Sequence, residues 1–224
     1  MRLLRSKSLI ITILVVSLSS CIQDKTRILI IGDSISIGYT PFVKENLANK
    51  ADVFHNPGNA QHTGTGLEKI DEWIGNEKWD IVQFNWGLWD LCYRHPDSKV
   101  YGNRDKENGK ITYALDEYAS NLDSIVTILQ TKTEAKLIFV TTTYVPENEA
   151  GRFQNDAIRY NDAAKKIMKN HSVIVNDIYE ESIPIHQEVG KGLDNVHYSI
   201  LGYEKLSELV TKFLKTEIES MKSK

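Results

Sequence analysis

Apolar residues fall along this chain in two alternating rhythms. Residues 27–31, Arg-Ile-Leu-Ile-Ile, are apolar without interruption after the first position, and the run stops at Gly32. A short run with no polar alternation predicts a strand buried on both faces. Similar strand signals recur at 80–84, 136–141 and 172–175, with a weaker one at 51–54. Between them, apolar positions take helical spacing over 41–50, 66–74, 113–130, 154–169 and 200–221. Strands alternating with helices predict a parallel sheet with helices on both faces. One segment breaks the scheme. Residues 93–110 are polar and carry Gly102, Asn103, Asn108 and Gly109, a connection far longer than the usual ~2–6 residues. It leaves the carboxyl end of a strand, where open α/β sheets place their sites, which favours a lid or substrate-contacting loop over a disordered insertion.

Composition narrows the classes of partner. Lys and Arg number 27 against 30 Asp and Glu, for a net charge of -3, so the basic footprint that captures nucleic acid is missing. The N-terminus carries Arg2, Arg5 and Lys7 ahead of an apolar run from Leu9 to Leu18, followed by Ser19-Ser20-Cys21. That run is shorter than the ~20 residues a membrane-spanning helix needs, and it is expected to be a removable signal peptide, residues 1–20. Small residues just before a cysteine resemble the lipobox of bacterial lipoproteins. The resemblance implies that Cys21 is acylated, that 21–26 form a short tether, and that the exported protein is anchored in the cell envelope. Ile22, where Asp would hint at inner-membrane retention, favours the outer membrane, on its periplasmic or surface face. The remainder, 27–224, fits one domain with its own core. With Cys21 acylated, Cys92 is the one cysteine left, so no internal disulfide is expected, and its apolar-aromatic surroundings point to packing.

Two short motifs carry candidate chemistry. The first predicted strand delivers Gly32-Asp33-Ser34-Ile35 into a tight turn before a helix, a geometry that exposes a hydroxyl and can aim backbone N–H groups at an anion. Near the other end stands Asp194-Asn195-Val196-His197. Aspartate and histidine three apart can face each other across one turn, so that the carboxylate fixes the imidazole tautomer and the other ring nitrogen takes a serine proton. Each motif alone also has a plain structural use, as a turn or as a helix cap.

Taken in order, Ser34 in Gly-Asp-Ser-Ile, Gly58 after the second strand, Gly87-Leu88-Trp89-Asp90 after the third, and Asp194-x-x-His197 resemble the four sequence blocks of SGNH/GDSL hydrolases. The resemblance implies a three-layer α/β/α sandwich on a flavodoxin-like, five-stranded parallel sheet of order 2-1-3-4-5. It implies Ser34 as nucleophile, His197 as general base and then acid, and Asp194 as the group orienting His197. Backbone N–H groups of Ser34 and Gly58 would supply part of the oxyanion hole. The third block departs from the family's Gly-x-Asn-Asp, because Trp89 stands where the family has the oxyanion-hole Asn. Asn85, two residues before Gly87, is the first substitute, then Asn59 beside Gly58; the Trp89 indole N–H is a further one.

Trp86, Trp89, Tyr93 and Tyr144 lie at or just past predicted strand ends, where aromatic faces can stack on sugar rings. Arg94 and His95 open the long loop. His55 and His62 flank Gly58 too loosely for a metal site, and the triad chemistry requires neither metal nor other cofactor. The expected activity is removal of small acyl groups, acetyl above all, from carbohydrate. Two alternatives stand beside it: a lysophospholipase or thioesterase using the same triad, and a catalytically impaired glycan-binding surface lipoprotein.

Overall fold

The computed structural model describes residues 25–223. The expected signal peptide, Cys21 and most of the tether lie outside the described residues. Thr26, the last residue of the expected tether, already belongs to the sheet.

In chain order the elements are β1 (Thr26–Ile31), α1 (Ser34–Leu47), β2 (Ala51–His55), α2 (Thr63–Ile74), β3 (Ile81–Phe84), β4 (Tyr93–Arg94), β5 (Lys110–Ile111), α3 (Leu115–Lys132), β6 (Lys136–Val140), α4 (Gln154–Asn170), β7 (Ile174–Asn176), α5 (Tyr179–Val189) and α6 (Ile200–Lys222). The large sheet has the order β2-β1-β3-β6-β7, and every pairing in it is parallel. Counting only these five strands, that is the expected 2-1-3-4-5. Ile28, Ile30, Ile31, Ile81, Val82, Phe84, Ile138 and Phe139 are all buried, as strands covered on both faces require. α1 packs against α6, and α6 also against α5, whereas α2, α3 and α4 pack in sequence on one another. Leu206, Val210, Leu214 and Ile218 recur every four residues on the buried face of α6, the spacing that keeps one helical stripe in the core.

Helix starts depart from the sequence expectation, and local hydrogen bonds explain why. α1 begins at Ser34, not at Pro41, because the buried Asp33 accepts from the Ile35 N–H at 2.9 Å and caps the helix. Pro41 then sits inside α1, opposite the carbonyl of the exposed Ile37, which water can satisfy. α2 begins at Thr63, with His62 Nδ1 accepting from Thr65 N at 3.1 Å. α5 was not anticipated. The long polar segment is ordered: β4 and β5 pair antiparallel across it, and residues 101–103 form a single 3-10 turn.

Asp90 ties the end of β3 to the start of α2. Its Oδ1 accepts from Thr63 N at 2.9 Å and from Thr63 Oγ1 at 2.5 Å, while Oδ2 is buried without a partner among the described residues. Burial pushes this carboxyl up to about 7, against the pull of the Thr63 hydrogen bonds. The folded protein therefore holds a proton that the unfolded chain releases near pH ~4. The associated stability is complete below that pH and is lost as pH rises through about 7. Asp90→Asn keeps the acceptor for Thr63 and removes the ionisation. Its Tm at pH 8 should exceed that of the wild type by at least ~2–4 °C, the shift that about 1 kcal/mol produces in a domain of this size, with the difference shrinking toward pH 4; thermal melts in which the variant and the wild type have equal Tm at pH 8 would refute the assignment.

Candidate active site

β1 lies between β2 and β3 in the sheet, and the chain winds from it to β2 on one side and then crosses back to β3 on the other, which makes its carboxyl end the topological switch point where such sheets bind ligands. Ser34 sits there as the first residue of α1. Its N–H belongs to the first helical turn, where no intrahelical acceptor exists. The loop after β2 is clamped to this turn by two bonds: Gly32 N donates to Asn56 Oδ1 at 2.9 Å, and Ala60 N donates to Gly32 O at 3.0 Å. At the corner of that loop Gly58 takes φ +69°, a left-handed conformation suited to glycine.

The other half of the site comes from the loop between α5 and α6. A bridge between Gly190 and Tyr198, with the Lys191 N–H donating to the His197 carbonyl at 2.9 Å, closes this loop at its base. His197 Nε2 then lies 2.9 Å from Ser34 Oγ. The structure thus brings together the two predicted residues that are 163 positions apart in sequence.

The third member differs from expectation. His197 Nδ1 is 2.7 Å from Asn195 Oδ1, and the His197 backbone N–H donates to the same oxygen at 3.0 Å. A backbone N–H can only donate, so the atom facing it is the amide oxygen and not the NH2. Nδ1 must then carry its proton and Nε2 must be the basic nitrogen, poised to accept from Ser34. Asp194, expected in this role, is exposed at the tip of the loop. The tight closure at Gly190–Tyr198 turns the residue two before His197 inward and the residue three before it outward. Burial lowers the His197 pKa, and the positive charges of Arg152, Lys191 and Arg104 lower it further, with Glu149 opposing them; the imidazole is held neutral and able to act as a base near neutral pH.

Ser34 and His197 open into a cleft of about 370 Å³, whose walls also include Asn59, Leu88, Trp89, Arg94, Tyr101, Arg104 and Arg152. A larger, shallower depression of about 740 Å³ around Trp79 and Lys136 opens at the opposite, amino-terminal ends of the strands and holds no serine–histidine pair. Of the oxyanion candidates, Asn85 is corrected: its Nδ2 donates to the Val140 carbonyl at 2.7 Å, tying β3 to β6, and it faces away from the cleft. Asn59 does enter the cleft. Its Oδ1 accepts from Gln61 N at 2.8 Å, which leaves Nδ2 as the part free to face a ligand. Gly58 is exposed at the loop corner and does not line the cleft.

Three of the four aromatic expectations are also corrected. Trp86 is 1% exposed, its indole N–H donating to the Ala60 carbonyl at 3.2 Å. Tyr93 packs edge-on against Phe153 and donates to Asp156. Tyr144 packs against His186. Each is drawn off by core packing or by a nearby acceptor, and only Trp89 reaches the cleft. His55 bonds Ser36, and His62 caps α2, so neither joins the site.

Sequence inspection missed Arg104, Glu149, Arg152 and Tyr101. Glu149 is wholly buried, and its Oε1 is shared by Arg104 and by Arg152 Nη1, the latter at 2.9 Å. Arg152 Nε donates to the Leu88 carbonyl at 2.6 Å, beside the Trp89 position. The only trace of this network in the sequence is the Glu149–Arg152 spacing just before α4, which many exposed pairs share.

The fold and site together define an α/β/α hydrolase with a serine at the switch point and a histidine supplied by the loop before the last helix. The chain belongs to the GDSL-like lipase/acylhydrolase family, whose model matches residues 28–210. Among solved structures it is similar to a lipase/acylhydrolase from Enterococcus faecalis, at 20% identity and a TM-score of 0.67, covering 86% of this chain and 96% of the other. It is also similar to the acetylxylan esterase Axe2 from Geobacillus stearothermophilus, at 20% identity and TM-score 0.64 over 84% and 93%. The acetyl xylan esterase AlAXEase is a third neighbour, at 14% identity and TM-score 0.64 over 82% and 97%. At these identities the likeness speaks for the fold. No curated protein matches the sequence.

The two neighbouring residues of the 194–197 loop give a sharp comparison. Asn195→Ala should lower kcat for ester hydrolysis by ~10²–10³, because the tautomer of His197 is no longer fixed. Asp194→Ala, at an exposed tip, should cost less than about 3-fold. Steady-state kinetics giving the reverse order would restore Asp194 as the orienting residue.

Proposed function

We propose that this protein is a serine esterase that removes small acyl groups, chiefly acetyl, from carbohydrate. The observation that carries this is the 2.9 Å contact between Ser34 Oγ and the basic Nε2 of His197 at the mouth of the cleft. Ser34 Oγ attacks the ester carbonyl while its proton passes to His197 Nε2. The imidazolium so formed is held by its Nδ1–H donating to Asn195 Oδ1. The oxyanion receives the Ser34 backbone N–H, with Asn59 Nδ2 as the side-chain donor in place of the Asn that Trp89 displaces. His197 then protonates the departing sugar hydroxyl, and a water molecule activated by the same nitrogen releases the acid from the acyl-enzyme.

Size and lining support a short acyl group. The cleft of about 370 Å³ has Leu88 and Val196 as its aliphatic walls, and the rest is dominated by arginine, asparagine and aromatic side chains. A long acyl chain would require a continuous apolar groove. Acetyl xylan esterases among the structural neighbours support the same substrate class. Against a purely glycan-binding role stands the engaged serine–histidine pair, since a scaffold without catalysis has no use for a neutral, oriented imidazole. We further propose that Cys21 carries the lipid anchor that holds the enzyme in the envelope.

The protein lacking residues 1–21 should hydrolyse p-nitrophenyl acetate faster than the octanoate ester, and Ser34→Ala should reduce kcat by at least ~10³. Residual activity near the wild-type level in Ser34→Ala would sink the mechanism, and a preference for octanoate would move the substrate to lipids. Metabolic labelling with palmitate in a bacterial host should mark the full-length chain and not Cys21→Ser; equal labelling of both rules out the anchor.

A further inference from the structure

The 224-residue sequence has seven arginines, of which five fall in the described residues, and three of those five, Arg94, Arg104 and Arg152, line the single cleft that holds Ser34 and His197. In a chain of net charge -3 that concentration calls for a cause. Structural pairing accounts for part of it. Glu149 is wholly buried and meets both Arg104 and Arg152, and its second oxygen accepts from Gly151 N at 2.8 Å. One carboxylate thus serves two guanidinium groups, and the acid that lines the cleft itself, Asp33, is buried and driven by desolvation toward its neutral form although Arg152 opposes this, so the cleft keeps a surplus of positive charge. Arg94 makes no ion pair among the described residues. Its guanidinium lies 5.0 Å from the centre of the Trp89 ring, with Nη1 donating to the Gly102 carbonyl, which fixes its plane and leaves further N–H groups open to the cleft.

Arg152 is buried and Arg94 and Arg104 are half-buried, and enclosing cationic groups with too few anions is costly unless something completes the pairing. The same surplus is felt at His197, where Arg152 and Arg104 both act to lower the pKa. Beside these charges stands Tyr101, 91% exposed although it is a large aromatic, on the 3-10 turn that Arg94 grips through Gly102. An exposed ring beside a planar guanidinium offers a sugar face to stack on and a fork for a carboxylate on the same residue.

We propose that the cleft recognises an acidic saccharide, with Arg94 and Arg104 binding the carboxylate of a uronic acid residue next to the acylated sugar. Arg152, fixed by Leu88 and Glu149, forms the positively charged floor beneath them. This assignment rests on the carbohydrate esterase function proposed above and narrows its substrate to an anionic polymer. Neutral acetylated xylan then becomes a poorer substrate.

Calorimetric titration of the wild-type protein with trigalacturonate, its methyl-esterified form and xylotriose tests the subsite without any ester turnover. Trigalacturonate should bind at least ~10-fold more tightly than either neutral trimer in 50 mM salt, and the advantage should shrink in 500 mM salt, as expected for partly exposed charges. Arg94→Gln and Arg104→Gln should each reduce that preference by about 10-fold. Arg94→Gln is the safer variant, because Arg104 also pairs the buried Glu149. Equal binding of the three trimers, or a preference retained in both variants, overturns the proposal. Turnover of p-nitrophenyl acetate, measured on the same preparation, reports separately on the esterase mechanism. A preference for trigalacturonate without turnover leaves the acidic subsite standing and removes the esterase, whereas turnover without the preference does the opposite.

Discussion

β1 is hydrogen-bonded on both sides, to β2 and to β3, and its last four residues, Ile28 to Ile31, are at most 2% exposed. A strand so enclosed has no freedom in where it ends, and the catalytic geometry inherits that rigidity. Asp33 caps α1 immediately beyond it, so Ser34 emerges at the first helical turn with its N–H unclaimed by the helix. The Asn56 side chain and the Ala60 N–H lock the neighbouring loop to Gly32. Ser34, its N–H and Asn59 are therefore positioned by bonds between main-chain amides and the short, buried side chains of Asp33 and Asn56 as well as by main-chain pairs, the kind of preorganisation that oxyanion stabilisation depends on.

Holding that turn has an energetic cost that is visible in the buried acids. Desolvation raises the pKa of Asp33, although backbone N–H groups and Arg152 pull the other way. Asp90, which fastens α2 to the end of β3, is buried with one oxygen unpartnered among the described residues. Glu149 is buried too, yet it is fully engaged by two arginines and a backbone amide. The difference between the last two is instructive. Glu149 has two cations against it, whereas only hydroxyl and amide donors reach Asp90, and there burial favours the protonated form.

Sequence periodicity revealed the sheet well because its strands are buried on both faces and read as unbroken apolar runs. Strand order followed from family resemblance, since nothing in the spacing of apolar residues distinguishes 2-1-3-4-5 from other windings. Helix starts were misplaced where an unusual cap did the work, as His62 does for α2. Ser34 and His197 were legible because each sits in a short motif at the edge of an element. Asn195 was not, because a spacing of three residues to Asp194 and of two to Asn195 are equally good on paper, and the closure of the loop at Gly190–Tyr198 decides between them. Asn85 and Trp86 were misassigned for a related reason. A polar or aromatic residue at a strand end has two directions to face, and the neighbouring Val140 and Ala60 carbonyls captured both side chains.

The arginines were invisible for a deeper reason. Arg94 and Arg104 belong to the long segment, Arg152 to the approach to α4, and Glu149 brings two of them together only in three dimensions. Two of them, Arg152 and Arg104, act together with Lys191 on the imidazole of His197. Positive charge near His197 disfavours the imidazolium that forms when Ser34 gives up its proton, so the free site is a weaker proton acceptor than the same pair in a neutral cleft. An anionic group seated among those arginines would reverse the penalty at the moment of reaction, adding to the basicity of His197 only when substrate is bound. In that arrangement Arg104 belongs both to the charge that selects the substrate and to the charge that tunes the base, and Glu149 holds it beside Arg152.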